Sequence, residues 1–528
     1  MGLGLRAVAF FLFLACLSCF NFAGTAAADV PVQRLRVAIL DSPDSFDWHH
    51  ATSSATSALM SNLMDGLLEY DSKLNLSAAL AESWTVSPDG RVYRFTLRPN
   101  VRWSDGVILR AQDFVDSWKR LLSPQTGGPY AYLLFDLEGA EYYNKGALSD
   151  FKLVGVKAID DRHLEVRLVR PVSYWLGLLT FWPTFPVRQD LIDRFGFSAF
   201  TPGRIQTVGG FVLESATSDG KVVLRRNPYS RNKRGNLDEV AFEVVRDLKM
   251  GYTLYQGSRF DVVLGVDQPS EEQLLEFSFL RNDLKSFNYL KTIYLGFVRT
   301  KFPVTDQRLR RALAMAVDKK KIGEIYGLGT ASASSFIPPG VMGYSEKIGL
   351  PFDLKRARAE LRSTQLDPSF KIRVPFIFPP NPRAMKVSEL LTQSFKNLGV
   401  DLIPEPLSMG RFRTQIDLHT SPLFLSSWSA DFADPDSFLA IFSSISGNNR
   451  IAFADTGIDD QLSLARNISI AKERVSIYTA VQKRLIEEEV VLIPLVYARN
   501  YAVVRPYVKG FLLNPLNGLL LNDVSIQH

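Results

Sequence analysis

The spacing of hydrophobic residues changes along this chain, from a strand-rich first part to a regular alternation of strands and helices. Alternating apolar and polar positions predict strands at residues 34–40 and 92–97, and apolar residues three or four positions apart predict a helix over residues 56–68. Helices are also expected to begin near Ala111 and Asp247. The other strands predicted in this part lie at residues 154–159, 163–169, 208–213, 221–225, 240–245 and 260–264.

Strands and helices alternate after about residue 291, which is typical of an α/β arrangement. Asp306 is expected to cap a helix that carries Leu309 and Leu313 on one face, and a long helix is predicted from Ala471 to Glu488. The other elements predicted here are strands at residues 294–298, 371–378, 400–403, 423–427 and 490–497, and helices around Leu390 and Phe412. A chain of 528 residues exceeds the size of one core, so two or three domains are expected.

The predicted strand at residues 423–427 leads into a segment, from Trp428 to Asp431, that combines an aromatic ring, a hydroxyl and a carboxylate. A turn at Asp434 follows, and Ser437 is expected to be the N-cap of the next helix. An apolar wall with one carboxylate at the end of a strand suits a ligand that carries a positive charge. The structural alternative is that Asp431 caps a turn and Trp428 fills the core.

Residues 1–28 have the pattern of a secretory signal peptide: Arg6, then an apolar run, then small residues before a cleavage site after Ala28. Both cysteines of the chain, Cys16 and Cys19, lie inside this segment. Lipid attachment at either cysteine is an alternative, although the residues before them fit a lipoprotein signal poorly. The sequence therefore predicts an exported, periplasmic protein whose mature form has no thiol.

Catalytic, metal and nucleic-acid sites find little support in the sequence. The five histidines include no pair at helical metal-binding spacing, and neither a nucleophilic serine elbow nor a phosphate-binding glycine loop is present. The formal net charge is +6, but the basic residues are scattered, which is typical of a solvated surface. The prediction is therefore a protein that is not an enzyme and that uses no cofactor, metal or nucleic acid.

A series of widely spaced motifs resembles the family 5 extracellular solute-binding proteins, which are the exported receptors of ABC peptide importers. The motifs are Leu80–Trp84, Ser87–Gly90, Tyr93–Arg98, Val101–Gly106, Ala111–Phe114, Gly209–Phe211, Arg226–Tyr229, Asp306–Leu313, Ala316–Asp318, Trp428–Asp431, Ile493–Leu495 and Val504–Gly510. The resemblance implies a periplasmic-binding-protein-like α/β fold of class II (cluster C), with two lobes around a hinge and an extra β-rich domain.

The resemblance also implies domain boundaries. Domain I, the first lobe, is expected to combine residues 29–72, 188–290 and 495–528. Domain II, the β-rich extension of that lobe, is expected at residues 73–187, and domain III, the second lobe, at residues 291–494. Two chain crossings between domains I and III would form the hinge.

The resemblance assigns roles to individual residues of this chain. Asp431 would bind the α-ammonium of a peptide, while backbone groups of Ser427 and Ser429 would pair with the extended peptide on one side and Ala58 on the other. Trp428, Tyr130 and Tyr497 would line the cleft, although core or hinge packing is an equal alternative for the two tyrosines. The expected partners are a peptide and the permease and ATPase subunits of an ABC importer, with the receptor itself a monomer.

Several positions depart from the family pattern. A tryptophan expected before the key strand corresponds to Ser408 or Met409, an arginine expected three residues before Trp428 is Leu425, and an acidic residue expected on the first helix aligns near Thr56. The cations that would hold a peptide's C-terminal carboxylate are not recognisable, and the candidates are Arg383, Arg411 and Arg413. Alternatives are therefore a receptor for a muropeptide, an opine-like amine or a metal chelate, or a periplasmic chaperone or hydrolase.

Overall fold

The computed structural model describes residues 32–527, apart from residues 72–73, 232–234, 267–268, 270, 328–329, 368–370 and 469. The predicted signal peptide with Cys16 and Cys19 lies outside the described residues. Residues 34–528 form one compact unit. In the described part of the chain, no helix has both the length and the apolar run that a membrane span requires.

The strands of the described residues are, in chain order, β1 Arg34–Ile39, β2 Leu68–Tyr70, β3 Leu76–Ala78, β4 Ala81–Val86, β5 Val92–Leu97, β6 Val156–Ala158, β7 His163–Arg167, β8 Phe211–Ala216, β9 Val222–Arg226, β10 Glu239–Val244, β11 Val262–Val266, β12 Leu284–Phe297, β13 Arg373–Phe378, β14 Asp401–Pro406, β15 Leu423–Ser429, β16 Leu492–Val504, β17 Val508–Lys509, β18 Leu512–Leu513, β19 Leu519–Leu520 and β20 Ser525–Ile526. Most of the predicted strands are confirmed within two or three residues at each end, because their alternating patterns match the faces that the fold buries.

The α-helices of the described residues are α1 Ser54–Leu63, α2 Ala111–Leu122, α3 Ala140–Asn144, α4 Trp175–Leu178, α5 Gln189–Phe195, α6 Leu248–Gln256, α7 Glu271–Glu276, α8 Leu280–Asp283, α9 Gln307–Met315, α10 Lys319–Tyr326, α11 Leu354–Arg362, α12 Pro382–Lys396, α13 Met409–Asp417, α14 Asp436–Leu439, α15 Thr456–Asn467 and α16 Ala471–Lys483, the last extended by a π-helical turn, Arg484–Glu488. Asp306 caps α9 as predicted, since its side chain accepts a hydrogen bond from the Leu309 amide at 2.9 Å. The prediction for Ser437 is wrong: α14 begins at Asp436 with Pro435 as its N-cap.

Ten strands form one mixed sheet in the order β14-β13-β15-β12-β16-β11-β1-β10-β9-β8. Its parallel pairs are β13 with β14, β13 with β15, β1 with β10 and β1 with β11. The two long central strands, β12 and β16, run antiparallel and join the two halves of the sheet. They are the longest strands described, and as neighbours at the centre of the sheet they connect its two halves.

Strand β12 is much longer than the sequence pattern predicts. Residues 294–298 were expected to form a strand, but β12 begins ten residues earlier, at Leu284. Its first part alternates exposed and partly buried residues and carries Lys285, Asn288 and Lys291, which weaken a strand signal. Pairing with β16 stabilises this part of the strand, and that pairing is a tertiary contact that local patterns do not contain.

A separate four-stranded antiparallel sheet, in the order β4-β5-β7-β6, forms the β-rich part of the chain. Helix α2 belongs to the same hydrophobic core, in which Phe114 and Trp118 are fully buried. The Trp118 ring meets the edge of Trp175 at 5.9 Å between ring centroids. This aromatic contact joins helix α2, which lies between β5 and β6 in the chain, to the residues that follow the small sheet.

Two hydrophobic clusters cover the two faces of the sheet around β12 and β15. Tyr294 and Phe424 belong to one cluster, while Leu295, Leu423 and Leu425 belong to the other. Strands buried on both faces read as nearly continuous apolar runs, which explains the apolar segment before Trp428. The buried first part of β15, residues 423–425, therefore anchors the polar residues that follow it.

Candidate functional site

Two adjoining cavities lie beside the end of β15, and Tyr289 and Asn517 border both of them. The larger cavity has a volume of about 870 Å³ and the smaller about 620 Å³. Lining residues of the larger cavity include Ala58, Lys291, Arg383, Arg413, Leu425, Ser426, Ser427, Arg450 and Arg499. Those of the smaller cavity include Tyr130, Phe181, Trp182, Ser429, Ala430 and Asp431.

One edge of β15 is free over most of its length. The strand pairs with β12 through all seven of its residues, from Leu423 to Ser429. On its other side it pairs with β13 only at Leu423 and Phe424. Among the described residues, no strand pairs with the remaining edge, residues 425–429, which borders the larger cavity and then the smaller one. An open edge of this kind presents unpaired backbone groups that can accept an added strand.

Asp431 is placed by the chain that leaves this strand. The Ala430 amide donates to the Leu290 carbonyl at 2.9 Å, so the segment stays attached to β12 for one residue beyond β15. The Asp431 amide then donates to Ser437 Oγ at 3.0 Å. This bond replaces the predicted capping role of Ser437 and directs the Asp431 side chain into the smaller cavity.

The Asp431 carboxylate has no ion-pair partner among the residues that the structure describes. Burial raises its pKa from 3.8 to about 6, because the surrounding protein disfavours the charged form. A buried carboxylate without a cation is unfavourable and is expected to attract a positively charged group. The site can therefore bind an ammonium group that enters the smaller cavity.

Aromatic side chains form a wall of the smaller cavity. The Tyr130 ring contacts Phe181 edge-on at 5.3 Å and Trp182 at 6.1 Å between centroids, and Phe181 and Trp182 are 4.1 Å apart. Burial, together with the negative charges of Asp431 and Asp44, raises the pKa of Tyr130 to about 12. Tyr130 therefore stays neutral, and its ring adds an attractive surface for a cation near Asp431.

A bulge in β12 contributes to the junction of the two cavities. The register between β12 and β16 shifts between Asn288 and Thr292. Within this shift, Tyr289 Oη lies 3.1 Å from Ser429 Oγ, and Lys291 Nζ lies 5.5 Å from the centroid of the Tyr289 ring. The bulge therefore places a hydroxyl and an ammonium group at the cavity lining beside the end of β15.

The structure brings five of the seven predicted site residues to the cavities. Ser427 and Ala58 line the larger one, while Ser429, Tyr130 and Asp431 line the smaller one. Ala58, however, lies in α1, where its carbonyl accepts a hydrogen bond from Asn62 Nδ2 at 2.8 Å. The backbone of Ala58 therefore cannot pair with an extended peptide, because a helical residue uses its backbone groups within the helix.

Trp428 and Tyr497 are not among the lining residues of either cavity. The Trp428 indole donates from Nε1 to the Ser437 carbonyl at 2.6 Å and is packed against the hydrophobic core. Tyr497 is buried, and its hydroxyl donates to the Ser335 carbonyl at 3.0 Å. The geometry therefore favours the packing alternative for both side chains.

Sequence reasoning missed several lining residues. Tyr289 and Lys291 were overlooked because the first part of β12 was not recognised as a strand, and Phe181 and Trp182 because the prolines around them indicated only a break. Arg383 and Arg413 were named as candidate cations, and both line the larger cavity, whereas Arg411 does not. In the described part of the chain, no group of three His, Cys, Asp or Glu side chains is arranged to hold a metal ion.

Comparisons with known proteins find relatives of similar sequence and fold. The chain is 29% identical to the probable deoxycholate-binding periplasmic protein YgiS of Escherichia coli K12, over 95% of this chain and 96% of YgiS. It is 27% identical to the periplasmic oligopeptide-binding protein OppA of Salmonella typhimurium LT2, over 91% of this chain and 90% of OppA. The solved structure of the murein tripeptide-binding protein MppA of Escherichia coli superposes with a TM-score of 0.80 at 25% identity, covering 94% of this chain and 99% of MppA.

These relatives are periplasmic binding proteins, and their fold confirms the predicted class, an α/β periplasmic-binding-protein-like architecture with two lobes. Residues 75–450 match the family described as bacterial extracellular solute-binding proteins, family 5 Middle. That match covers more than half of the chain and includes the β-rich sheet, the bulge of β12 and the site at Asp431. The chain therefore belongs to the family 5 bacterial extracellular solute-binding proteins.

Proposed function

We propose that this protein is an exported receptor that holds a peptide in extended form between two lobes and delivers it to an ABC importer. One observation carries the proposal: the free edge of β15 at residues 425–429 leads directly to the uncompensated carboxylate of Asp431. An extended peptide added to this edge pairs through its backbone, and its first residue then brings the α-ammonium to Asp431. Backbone bonds do not depend on side chains, which favours broad specificity.

The lobes follow from the predicted domains. Domain I (residues 29–72, 188–290 and 495–528) and domain II (residues 73–187) would form the first lobe, and domain III (residues 291–494) the second. The long strands β12 and β16 cross between them and would serve as the hinge. Two contacts between the lobes support closure on a ligand: Tyr174 stacks on Phe432 at 5.1 Å, and the Ser173 amide donates to the Arg466 carbonyl at 3.1 Å.

The cellular setting of the proposal comes from the sequence and the relatives. The predicted signal peptide at residues 1–28 would direct export, and the closed, peptide-loaded form would dock on the permease of an ABC importer with its ATPase subunits. The receptor would act as a monomer without catalysis or a cofactor. OppA and MppA, named for oligopeptide and murein peptide binding, support a peptide as the ligand.

A second candidate ligand is an amphipathic carboxylate, such as the deoxycholate named for YgiS. The larger cavity favours this candidate because it combines apolar side chains, among them Ile293, Phe412 and Ile416, with arginines. Such a ligand has no ammonium group to bind at Asp431. Calorimetric titration of deoxycholate, alone and in competition with a bound peptide, separates the two candidates.

The proposal predicts that blocking the backbone of a peptide weakens its binding. Methylation of one amide nitrogen that faces residues 425–429 should raise Kd about fivefold or more, since it removes a hydrogen bond and adds a clash at the strand edge. The measurement is isothermal titration calorimetry with a set of short peptides, each methylated at one position. The control is a peptide methylated at its last amide, which lies farthest from Asp431. Equal affinity across the whole set would contradict binding as an added strand.

The raised pKa of Asp431 predicts that binding weakens in acid. A ligand ammonium stabilises the ionised carboxylate, so below a pKa of about 6 the unliganded carboxyl must lose a proton before it binds. Lowering the solution from about pH 7.5 to about pH 5 should therefore raise Kd about tenfold. Titrations at the two pH values test this, and an N-acetylated peptide is the control. A pH-independent Kd for the free-amino peptide would contradict the role of Asp431.

A further inference from the structure

We propose that the larger cavity is a binding site for acidic side chains, so that the preferred ligand is a peptide with carboxylates beyond its terminal one. The inference rests on the proposed function and adds a substrate class to it. It is carried by the charges that line the larger cavity and by the position of that cavity along the free edge of β15. The cations that line the larger cavity belong to none of the family motifs named in the sequence analysis.

The charged residues that line the larger cavity are predominantly basic. Among the described lining residues they are Lys291, Arg383, Arg413, Arg450, Arg499 and Asp41. Five cations therefore face one carboxylate, and Asp41 is exposed. The cations come from β12, α12, α13, the segment after α14 and β16, which lie far apart in the sequence. A solvated surface does not require such convergence on one concavity, whereas an anionic ligand does.

Most of these cations are held in place by neutral groups. Arg499 donates from Nε to Ser286 Oγ at 2.7 Å and from Nη1 to Asn288 Oδ1 at 3.2 Å. Lys291 lies over the Tyr289 ring, and Arg383 lies over the Tyr326 ring at 5.5 Å. The contacts of Arg499 and Lys291 orient these two cations without neutralising their charge, so both remain available to a carboxylate.

The two cations near α13 differ in their partners. Arg450 forms an ion pair with Asp417 at 3.3 Å, in which the Asp417 side chain is 56% exposed, so the pair is weakened by solvent. Arg413 is exposed, and its guanidinium has no ion pair or hydrogen bond with another side chain or backbone group in the part of the chain that the structure describes. Arg413 is therefore the lining cation that is best placed to gain a partner from the ligand.

The opposite charges of the two cavities set the direction of the ligand. The charged residues that line the smaller cavity are acids: Asp65, Glu69, Asp71, Asp431 and Asp523. Arg231 pairs with two of them, Asp65 at 2.9 Å and Glu69 at 2.8 Å. A peptide with its ammonium group at Asp431 therefore extends along residues 425–429 toward the larger cavity, and its later side chains enter the basic surroundings.

Carboxylates in the larger cavity can come from two parts of a peptide, the C-terminus or acidic side chains. Four synthetic peptides separate these sources: Ala-Gln-Gln-Ala and Ala-Glu-Glu-Ala, each as a free acid and as a C-terminal amide. Calorimetry at low salt should give a Kd about tenfold lower for the glutamate peptide than for the glutamine peptide, in the amide pair as well as in the acid pair. Raising NaCl to about 0.5 M should reduce this ratio severalfold.

Two variants test whether the cations of the larger cavity cause the difference in Kd between the glutamate and glutamine peptides. Arg413→Gln and Lys291→Gln should each reduce the preference for glutamate about two- to fourfold, because each removes one attractive charge. Arg411→Gln is the matched control, since Arg411 is exposed on the same helix, carries the same charge and is not a lining residue. It should leave the ratio unchanged. Circular dichroism and thermal unfolding of each variant verify that it is folded.

The outcomes distinguish the preference for acidic side chains from peptide binding itself. Equal affinity for the glutamate and glutamine peptides overturns the inference and leaves peptide binding intact. A preference that depends only on the free C-terminus, or that Arg411→Gln reduces as much as Arg413→Gln, overturns it as well. If none of the four peptides binds, the proposed function itself is overturned.

Discussion

Replacing Asp431 with asparagine is expected to weaken the binding of a free-amino peptide roughly 10- to 100-fold, because a charge-assisted hydrogen bond in a buried site is lost. Asparagine keeps the shape of the side chain, so the change in affinity reports the charge. Calorimetric titration of the variant with a free-amino peptide measures the effect. N-acetylation of the peptide removes the matching charge from the ligand. Combining Asp431→Asn with the acetylated peptide should weaken binding little more than either change alone.

The same substitution is expected to stabilise the ligand-free protein above about pH 6. The folded-state pKa of Asp431 is raised from 3.8 to about 6, so between these values the folded protein binds more protons than the unfolded chain. The free energy of unfolding therefore falls as the pH rises through this window, by at most about 3 kcal/mol. Asp431→Asn removes this cost, and urea unfolding at about pH 7.5 should show a gain of roughly 1–3 kcal/mol.

A stability that stays unchanged or falls, together with unchanged peptide affinity, would show that Asp431 serves the fold. Weaker binding combined with greater stability is the pattern expected of a residue retained for its ligand, since the ligand and not the protein provides its partner. The stability gain should disappear at about pH 3, below both pKa values, where both states are largely protonated.

Replacing Asp434 with asparagine is expected to have the opposite effect on stability, a loss of roughly 3 kcal/mol. Asp434 lies three residues beyond Asp431, but both of its carboxylate oxygens accept hydrogen bonds from Arg474 at 2.8 Å. The two side chains are only 9% and 5% exposed. Removing the carboxylate leaves the guanidinium buried without its counter-charge, and that charge is costly in the interior.

The pKa of Arg474 supports this expectation. Burial opposes its charge, but the neighbouring Asp434 outweighs burial and raises the pKa of Arg474 above its ordinary value. Urea unfolding of Asp434→Asn measures the loss, and Asp431→Asn provides the matched comparison in the same segment. The double replacement Asp434→Asn with Arg474→Met should recover part of the stability, since it removes both charges. A single variant as stable as the unmodified protein would contradict the role of the pair.

The sequence alone was sufficient to predict most of the local helices and strands and to identify the family. Strand β15 was recognised from its short continuous apolar run, and helix α9 from apolar residues that repeat with the helical period. Asp306 is a capping residue whose partner lies only three positions away. The motifs around Trp84 and Asp431 indicated the family, and the match of residues 75–450 to the family confirms it. These signals are local, because each depends on residues that lie close together in the sequence.

Tertiary structure decided what each residue of the site does. Asp431, Asp434 and Asp436 look alike in the sequence, yet Asp434 and Asp436 pair with Arg474 and Arg466. Asp431 instead faces a cavity that no described cation lines. Trp428 and Tyr497 were expected at the cleft, but partners distant in sequence, such as Ser335, hold the Tyr497 side chain in the core.

The larger cavity is the clearest case of what the sequence cannot specify. Lys291, Arg450 and Arg499 are separated by up to about two hundred residues along the chain and have no common motif. Lys291 and Arg499 meet because β12 and β16 pair as neighbouring strands, and Arg450 reaches the same cavity from the segment after α14. Periodicity records which face of an element is buried, whereas the charge of a cavity depends on which distant elements the fold brings together.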